Sequence, residues 1–65
     1  MLRHGTIQSI DSVSKIGVIV DANLQDIEFI LPDEPKFHPG MKVVFVITYS
    51  PSGGLIASEV TKDEA

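Results

Sequence analysis

The segment SKIGVIV, from Ser14 to Val20, is the most informative part of the sequence for the fold. Its aliphatic residues are all β-branched, which favours a strand, and Gly17 interrupts the run. A glycine inside a strand often marks a sharp bend or the close approach of another group. We therefore predict a strand over Ile16 to Val20, in which Gly17 either meets such a structural requirement or is a glycine tolerated in an edge strand.

Four further runs with strand periodicity accompany this one. They are Gly5 to Ile10, Ile27 to Leu31, Met41 to Tyr49, and Leu55 to Val60. In the run MKVVFVITY, a period of two places Val43, Phe45 and Ile47 on one face. The segments DANLQD, PDEPKFHPG and SPSGG separate the later runs and are rich in turn-forming residues. The chain is therefore predicted to be all-β, with no long helix.

Five short strands in so short a chain indicate a small closed barrel. Closing the sheet removes its exposed edges and packs many side chains into one core. An SH3-like barrel has a similar number of strands, and strand count alone leaves that alternative open. We expect a single domain over residues 1–61, followed by a polar tail over residues 62–65.

Composition excludes several classes of function. The 65 residues include no cysteine, so disulfides and thiolate metal sites are excluded. Five basic residues are scattered along the chain against nine acidic ones, which opposes tight binding to nucleic acid through phosphate contacts. The apolar runs are far shorter than the roughly 20 residues that span a membrane. We expect a cytoplasmic protein without membrane association.

The order of several short motifs resembles that of the bacterial cold-shock proteins. The motifs are G-x-I at Gly5, K-x-G-x-I at Lys15, D-x-x-F at Asp26, G-x-x-V-x-F at Gly40, and G-x-x-A-x-x-V at Gly54. Each motif is weak alone, and only their order is specific. The resemblance spans nearly the whole chain, with one deletion near Asn23 and a shorter loop after Leu31. It implies a five-stranded antiparallel OB-fold barrel that binds single-stranded RNA or DNA. It also implies that Gly17 lies where a strand coils sharply to close the barrel, so that a side chain there would obstruct the bend.

The resemblance also implies which residues would contact nucleic acid. The family stacks bases on aromatic side chains, and the matching positions here are Ser9, Ile10, Ile16, Val18, Glu28, Ile30 and Leu31. None is aromatic, and each lost stack forfeits about 1–3 kcal/mol. Glu28 would also repel phosphates. Any binding of single-stranded nucleic acid is therefore expected to be weak, with Gln8, Lys15 and Tyr49 as the remaining polar contacts.

A second hypothesis follows from what replaces the rings. Adjacent exposed aliphatic side chains usually mark a contact surface. We expect such a face, for a partner protein or for a homodimer, at Ile16, Val18, Ile30, Leu31 and Val44. A shift of one residue in the register of either strand would instead turn these side chains inward.

Sites for metals, cofactors and catalysis are not expected. DANLQD has carboxylates at Asp21 and Asp26 but lacks the glycine and glutamate of a calcium loop, so we expect a solvated hairpin loop. His4 and His38 are far apart and have no cysteine or nearby carboxylate to complete a zinc site. No nucleophile with a partnered base is recognisable, and the chain is expected to be a non-enzymatic binding module.

Overall fold

The computed structural model describes residues 2–33 and 36–63. Its strands are β1 (Arg3–Asp11), β2 (Ile16–Asp21), β3 (Asp26–Ile30), β4 (Lys42–Tyr49) and β5 (Leu55–Lys62). All five predicted strands are present, and the described residues contain no helix. Strand β5 continues through Lys62, into the stretch expected to be a tail. Glu34 and Pro35 of the PDEPKFHPG loop, and residues 64 and 65 of the expected tail, lie outside the described residues.

The five strands close into one barrel in the order β1-β2-β3-β5-β4. Neighbouring strands are antiparallel except β3 and β5, which run parallel. These two pair only where Glu28 meets Ile56 and Phe29 meets Ala57. The all-β, OB-like barrel predicted from the sequence is confirmed, with one short parallel seam.

Alternation along the strands builds the core. Every second residue of the central strands is buried, and the buried hydrophobic residues are Ile7, Ile19, Ile27, Phe29, Val43, Phe45 and Ala57. The predicted inward face of β4 is therefore present at Val43 and Phe45, and the half-buried Ile47 packs against the same core. One face of each strand is buried, so a shift of one residue in register would expose the core side chains. The register is therefore strongly specified, and it also determines which side chains point outward.

Gly17 is required by the ring that lies over it. It pairs across the sheet with Phe29, and a Cβ at position 17 would come 2.4 Å from Cε1 of that ring. Such a distance is far below van der Waals contact, so any side chain would displace a fully buried phenylalanine. The structure thus shows that the close approach of the Phe29 ring requires a glycine at position 17.

Asp21 ends β2 and organises the hairpin that leads to β3. Its Oδ1 accepts hydrogen bonds from the backbone N–H groups of Asn23 and Gln25, both at 2.9 Å. The residue is only 5% exposed, and Nη1 of Arg3 lies 3.8 Å from its Oδ2. The expectation that this whole loop is solvated was therefore wrong for Asp21, because its carboxylate turns inward to bind the backbone of the turn.

Two β-bulges interrupt the regular pairing. On β1, Gln8 is the extra residue between Ile7 and Ser9, which oppose adjacent residues of β2. On β5, the segment Ser58 to Thr61 opposes the shorter segment Val44 to Val46 of β4. Glu59 lies within that second bulge and has a φ of 52°, in the left-handed region. Bulges of this kind sharpen the local twist and redirect side chains.

Candidate binding surface on strands β2 and β3

The outward side chains of β2 and β3 are set by the burial of their neighbours. On β2, Gly17 and Ile19 are buried, so Ile16 and Val18 project away from the core. On β3, Ile27 and Phe29 are buried, so Glu28 and Ile30 project outward. Ile16, Val18 and Ile30 therefore point in the direction expected from the sequence.

Strand pairing brings these outward residues together. Ile16 lies directly opposite Ile30, and Val18 lies opposite Glu28. Across the parallel seam, Glu28 pairs with Ile56, which projects outward because Ala57 is buried. We call the surface formed by Ile16, Val18, Ile30 and Ile56 the aliphatic face. Ile30 is 60% exposed, and the carboxylate-bearing Glu28 lies in the middle of the face.

Leu31 and Val44, expected on the same surface, lie elsewhere. Leu31 follows the end of β3, donates its N–H to the Lys15 carbonyl at 2.8 Å, and packs against the core. Val44 is on β4, where it pairs with His4 of β1 and Thr61 of β5. Because β1 separates β4 from β2 in the barrel, Val44 cannot adjoin Ile16 or Val18.

The polar residues assigned to nucleic-acid binding surround one side of the aliphatic face. Ser9 is exposed and pairs with Val18, while Gln8 is exposed in the β1 bulge. Lys15 precedes β2 with a φ of 63°, and its Nζ lies 3.9 Å from Oδ1 of Asp33. Both partners of that ion pair are well exposed, so it contributes little to stability.

No aromatic ring lies on the aliphatic face. Phe29 and Phe45 are buried, and Phe37 packs edge-on against Phe29 with ring centroids 5.7 Å apart. Tyr49 is 76% exposed at the end of β4, where it pairs with Leu55, whereas the residue of β4 that pairs with Ile56 is Thr48. As these four are all the aromatic residues of the chain, the face offers bases nothing to stack on.

Acidic groups dominate the charge around the face. Glu28 is exposed within it, and Asp11 pairs with Ile16 at its margin. Backbone N–H groups of Ser14 and Val13 donate to the Asp11 carboxylate, which lowers the pKa of that group and favours its charged form. Lys15 is the cation next to Ile16 in the chain. The surface therefore combines hydrocarbon with negative charge, which disfavours phosphates.

Ile56 belongs to the aliphatic face although no sequence signal placed it there. Its neighbours in the chain alternate in the ordinary way, and only the parallel seam brings β5 beside β3. Contact between strands so distant in sequence depends on the whole topology. The alternation of β5 could show that Ile56 points outward, but not which strand it would adjoin.

No protein-family model matches this chain, and no curated protein matches it significantly. Within residues 2–33 and 36–63, no cluster of three or more histidine, aspartate or glutamate side chains is arranged to hold a metal ion. The same part of the chain has no helix that could cross a bilayer.

Proposed function

We propose that this chain is a non-enzymatic module that binds a partner protein through the aliphatic face. The observation that carries the proposal is the cross-strand pairing of Ile16 with Ile30 beside Val18, all directed away from the core. Clustered hydrocarbon that is at least partly exposed, here with Ile30 60% exposed and Ile16 and Val18 half-buried, is characteristic of contact surfaces. The proposal extends to a cytoplasmic location, which suits a chain without cysteine.

The energetics of the face favour a partner that carries a positive charge. Covering an aliphatic side chain contributes up to about 1.5–3 kcal/mol, and less for the half-buried Ile16 and Val18. A partner that covers them also covers Glu28, whose carboxylate must then be paired or hydrogen-bonded. A lysine or arginine surrounded by apolar side chains meets both requirements.

Self-association through the same face is less well supported. In a two-fold dimer the same patch lies on both sides of the contact, so the two Glu28 carboxylates would lie near each other. Like charges in a desolvated contact are strongly unfavourable. A partner of different composition avoids this repulsion.

Weak binding of single-stranded nucleic acid is the second candidate. It is supported by the OB-like barrel, by the order of motifs shared with cold-shock proteins, and by the position of Ser9 and Lys15 beside the aliphatic face. Against it stand the missing rings and the carboxylate of Glu28. The loss of several stacked bases outweighs what one lysine contributes.

Selection from a displayed library of random peptides tests the proposal. Peptides selected on the full chain should combine aliphatic residues with lysine or arginine. Their affinity, measured by calorimetry, should fall at least about tenfold for Ile16→Thr with Val18→Thr, because hydrocarbon at the centre of the contact is lost. Val13→Thr is the matched control, since Val13 is 94% exposed in the turn before β2.

Selected peptides that bind the double variant as tightly as the original chain would overturn the assignment of the face. The assignment would also be overturned if the selection yielded only peptides whose affinity is changed neither by Ile16→Thr with Val18→Thr nor by Val13→Thr. Circular dichroism of each variant shows whether the barrel is still folded, so that loss of binding is not confused with loss of structure.

A further inference from the structure

An apolar groove of about 390 Å³ runs beside β5. Its walls are formed by Ile30, Pro32, Ile56, Ala57, Ser58, Glu59 and Val60. Five of these residues are consecutive in β5. Side chains of a strand alternate between its two faces, so consecutive residues line one groove when that groove follows the strand's edge.

Within residues 2–33 and 36–63, no strand lies beside the edge of β5 along this groove. Strand β3 pairs with β5 only as far as Phe29 and Ala57, and Pro32 then follows the end of β3. From Ser58 onward β5 pairs, among the described residues, with β4 on its other side. Unpaired backbone N–H and C=O groups along such an edge are a template for another extended chain.

The charge at the groove is negative. Glu59 lines it within the bulge of β5, and Glu28 pairs with Ile56 at the seam where the groove begins. Among the described residues that form its walls, none is a lysine, arginine or histidine. The groove therefore combines three features that can bind a ligand: backbone hydrogen-bonding groups, aliphatic walls and carboxylates.

We infer that the free edge of β5 accepts an extended segment of a partner protein, in which aliphatic residues alternate with lysine or arginine. The segment adds a strand beside Ser58 to Val60, as in other cases of strand addition. Its aliphatic side chains lie against Ile30 and Pro32, and its basic side chains pair with Glu59. The inference rests on the proposed function only in taking the partner to be a protein.

A second copy of this chain is a poorer occupant of the groove. Antiparallel pairing of two β5 edges around a two-fold axis near Val60 would bring the two Glu59 carboxylates close together. Each copy would also bring its own bulge, whose twist disturbs a regular ladder. The chain's net charge of −4 adds to the repulsion.

The test uses the full chain and a defined probe, a capped peptide of alternating valine and lysine about eight residues long. Binding should shift the backbone amide signals of Ser58 to Thr61 in NMR spectra. Amides at the free edge should exchange with solvent about tenfold more slowly when the peptide is bound, because they become hydrogen-bonded. The same peptide with alternate backbone nitrogens methylated should not bind, since it cannot form the ladder.

Charge reversal tests the role of the carboxylate. Glu59→Lys should weaken the affinity for the valine–lysine peptide by about three- to fivefold at low salt relative to Asp26→Lys. Asp26 is exposed at the far end of β3, so this control changes the net charge equally. A valine–glutamate peptide should show the opposite preference for Glu59→Lys.

Four results would overturn the inference. Equal binding of the methylated peptide would show that no strand is added, and equal effects of the two charge reversals would show that Glu59 is not involved. A dimer in which the amides of Ser58 to Thr61 are protected without peptide would identify the occupant as a second copy. Peptide-induced shifts confined to Ile16 and Val18 would also overturn this inference, while leaving the proposed role of the aliphatic face intact.

Discussion

Gly17 shows how a single missing side chain permits the core to form. The Phe29 ring fills the space that a side chain at position 17 would need, so Gly17→Ala forces the ring or the strand to move. We expect a loss of about 1–3 kcal/mol in the free energy of unfolding, measured with urea. Gly54→Ala is the control, because the nearest atom to its added Cβ, Oγ of Ser50, is 4.0 Å away.

A second substitution shows whether the ring is the cause. Phe29→Leu removes the atoms that the new methyl group meets, so Gly17→Ala should cost less in that background. Residues in contact show such coupling, whereas distant ones are additive. Equal costs of Gly17→Ala in both backgrounds would mean that the backbone, and not the ring, requires glycine at this position.

Leu24 occupies a backbone conformation that suits glycine. Its φ is 62° in the β2–β3 hairpin, its N–H donates to the Asp21 carbonyl at 3.0 Å, and its side chain is 83% exposed. Leu24→Gly should therefore stabilise the protein by about 1 kcal/mol, read from the urea midpoint. Val13→Gly is the control, because Val13 is also exposed but has no positive φ. Destabilisation by Leu24→Gly would contradict this reasoning.

Asp11 makes stability depend on pH in acid. Hydrogen bonds from the N–H groups of Ser14 and Val13 lower its pKa, so the folded state prefers the charged carboxylate. A lowered pKa contributes stability above the ordinary aspartate range, and this contribution is lost as the pH falls through the lowered value. Thermal unfolding should show Asp11→Asn to be more destabilising at about pH 6 than at about pH 2.5. If Asp11→Asn destabilised the protein equally at both pH values, the lowered pKa of Asp11 would not be the source of this stability.

At the scale of the strands, the alternation of residues predicts which side chains point outward, but it does not predict which strands lie beside one another. Ile16, Val18 and Ile30 point outward as expected, because buried residues on either side fix the register. Leu31 differs because it directly follows the outward Ile30, and successive residues point to opposite sides, so the same alternation directs it toward the core. Val44 differs because its outward direction says nothing about which strands lie beside β4.

Features that depend on backbone detail were not predictable. The bulges at Gln8 and Glu59 arise from pairing between strands, and neither residue carries a bulge signal such as glycine. The burial of Asp21 depends on two hydrogen bonds within its own turn. A carboxylate in a loop is ordinarily solvated, so the sequence favours the opposite expectation.

Aromatic rings introduced on the outward face should confer binding to nucleic acid. Val18→Phe with Glu28→Phe places two aromatic side chains opposite each other on β2 and β3 and removes the central carboxylate. Each stacked base contributes about 1–3 kcal/mol, so the affinity for oligo-dT should rise at least about tenfold. Fluorescence anisotropy measures the change, with Leu24→Phe as the control in the distant hairpin. An unchanged affinity would show that this face cannot act as a stacking platform.

For the molecule as a whole, charge and topology both agree with the partner that we propose. The closed barrel leaves its aliphatic face and the edge of β5 on neighbouring parts of the surface, joined by Ile30 and Ile56. Glu28 and Glu59 lie on these two parts, and the chain as a whole carries a net charge of −4. This combination suits an aliphatic, basic segment of protein and opposes a polyanion.

The most direct test of this account is a titration of the unmodified chain with labelled oligo-dT and oligo-U at low salt, with sedimentation of the same sample. We predict no saturation below about 100 µM, because a face without rings has only weak contacts to offer. Binding at about 1 µM or tighter, weakened steeply by salt and accompanied by NMR shifts at Ile16, Val18 and Ile30, would contradict the account.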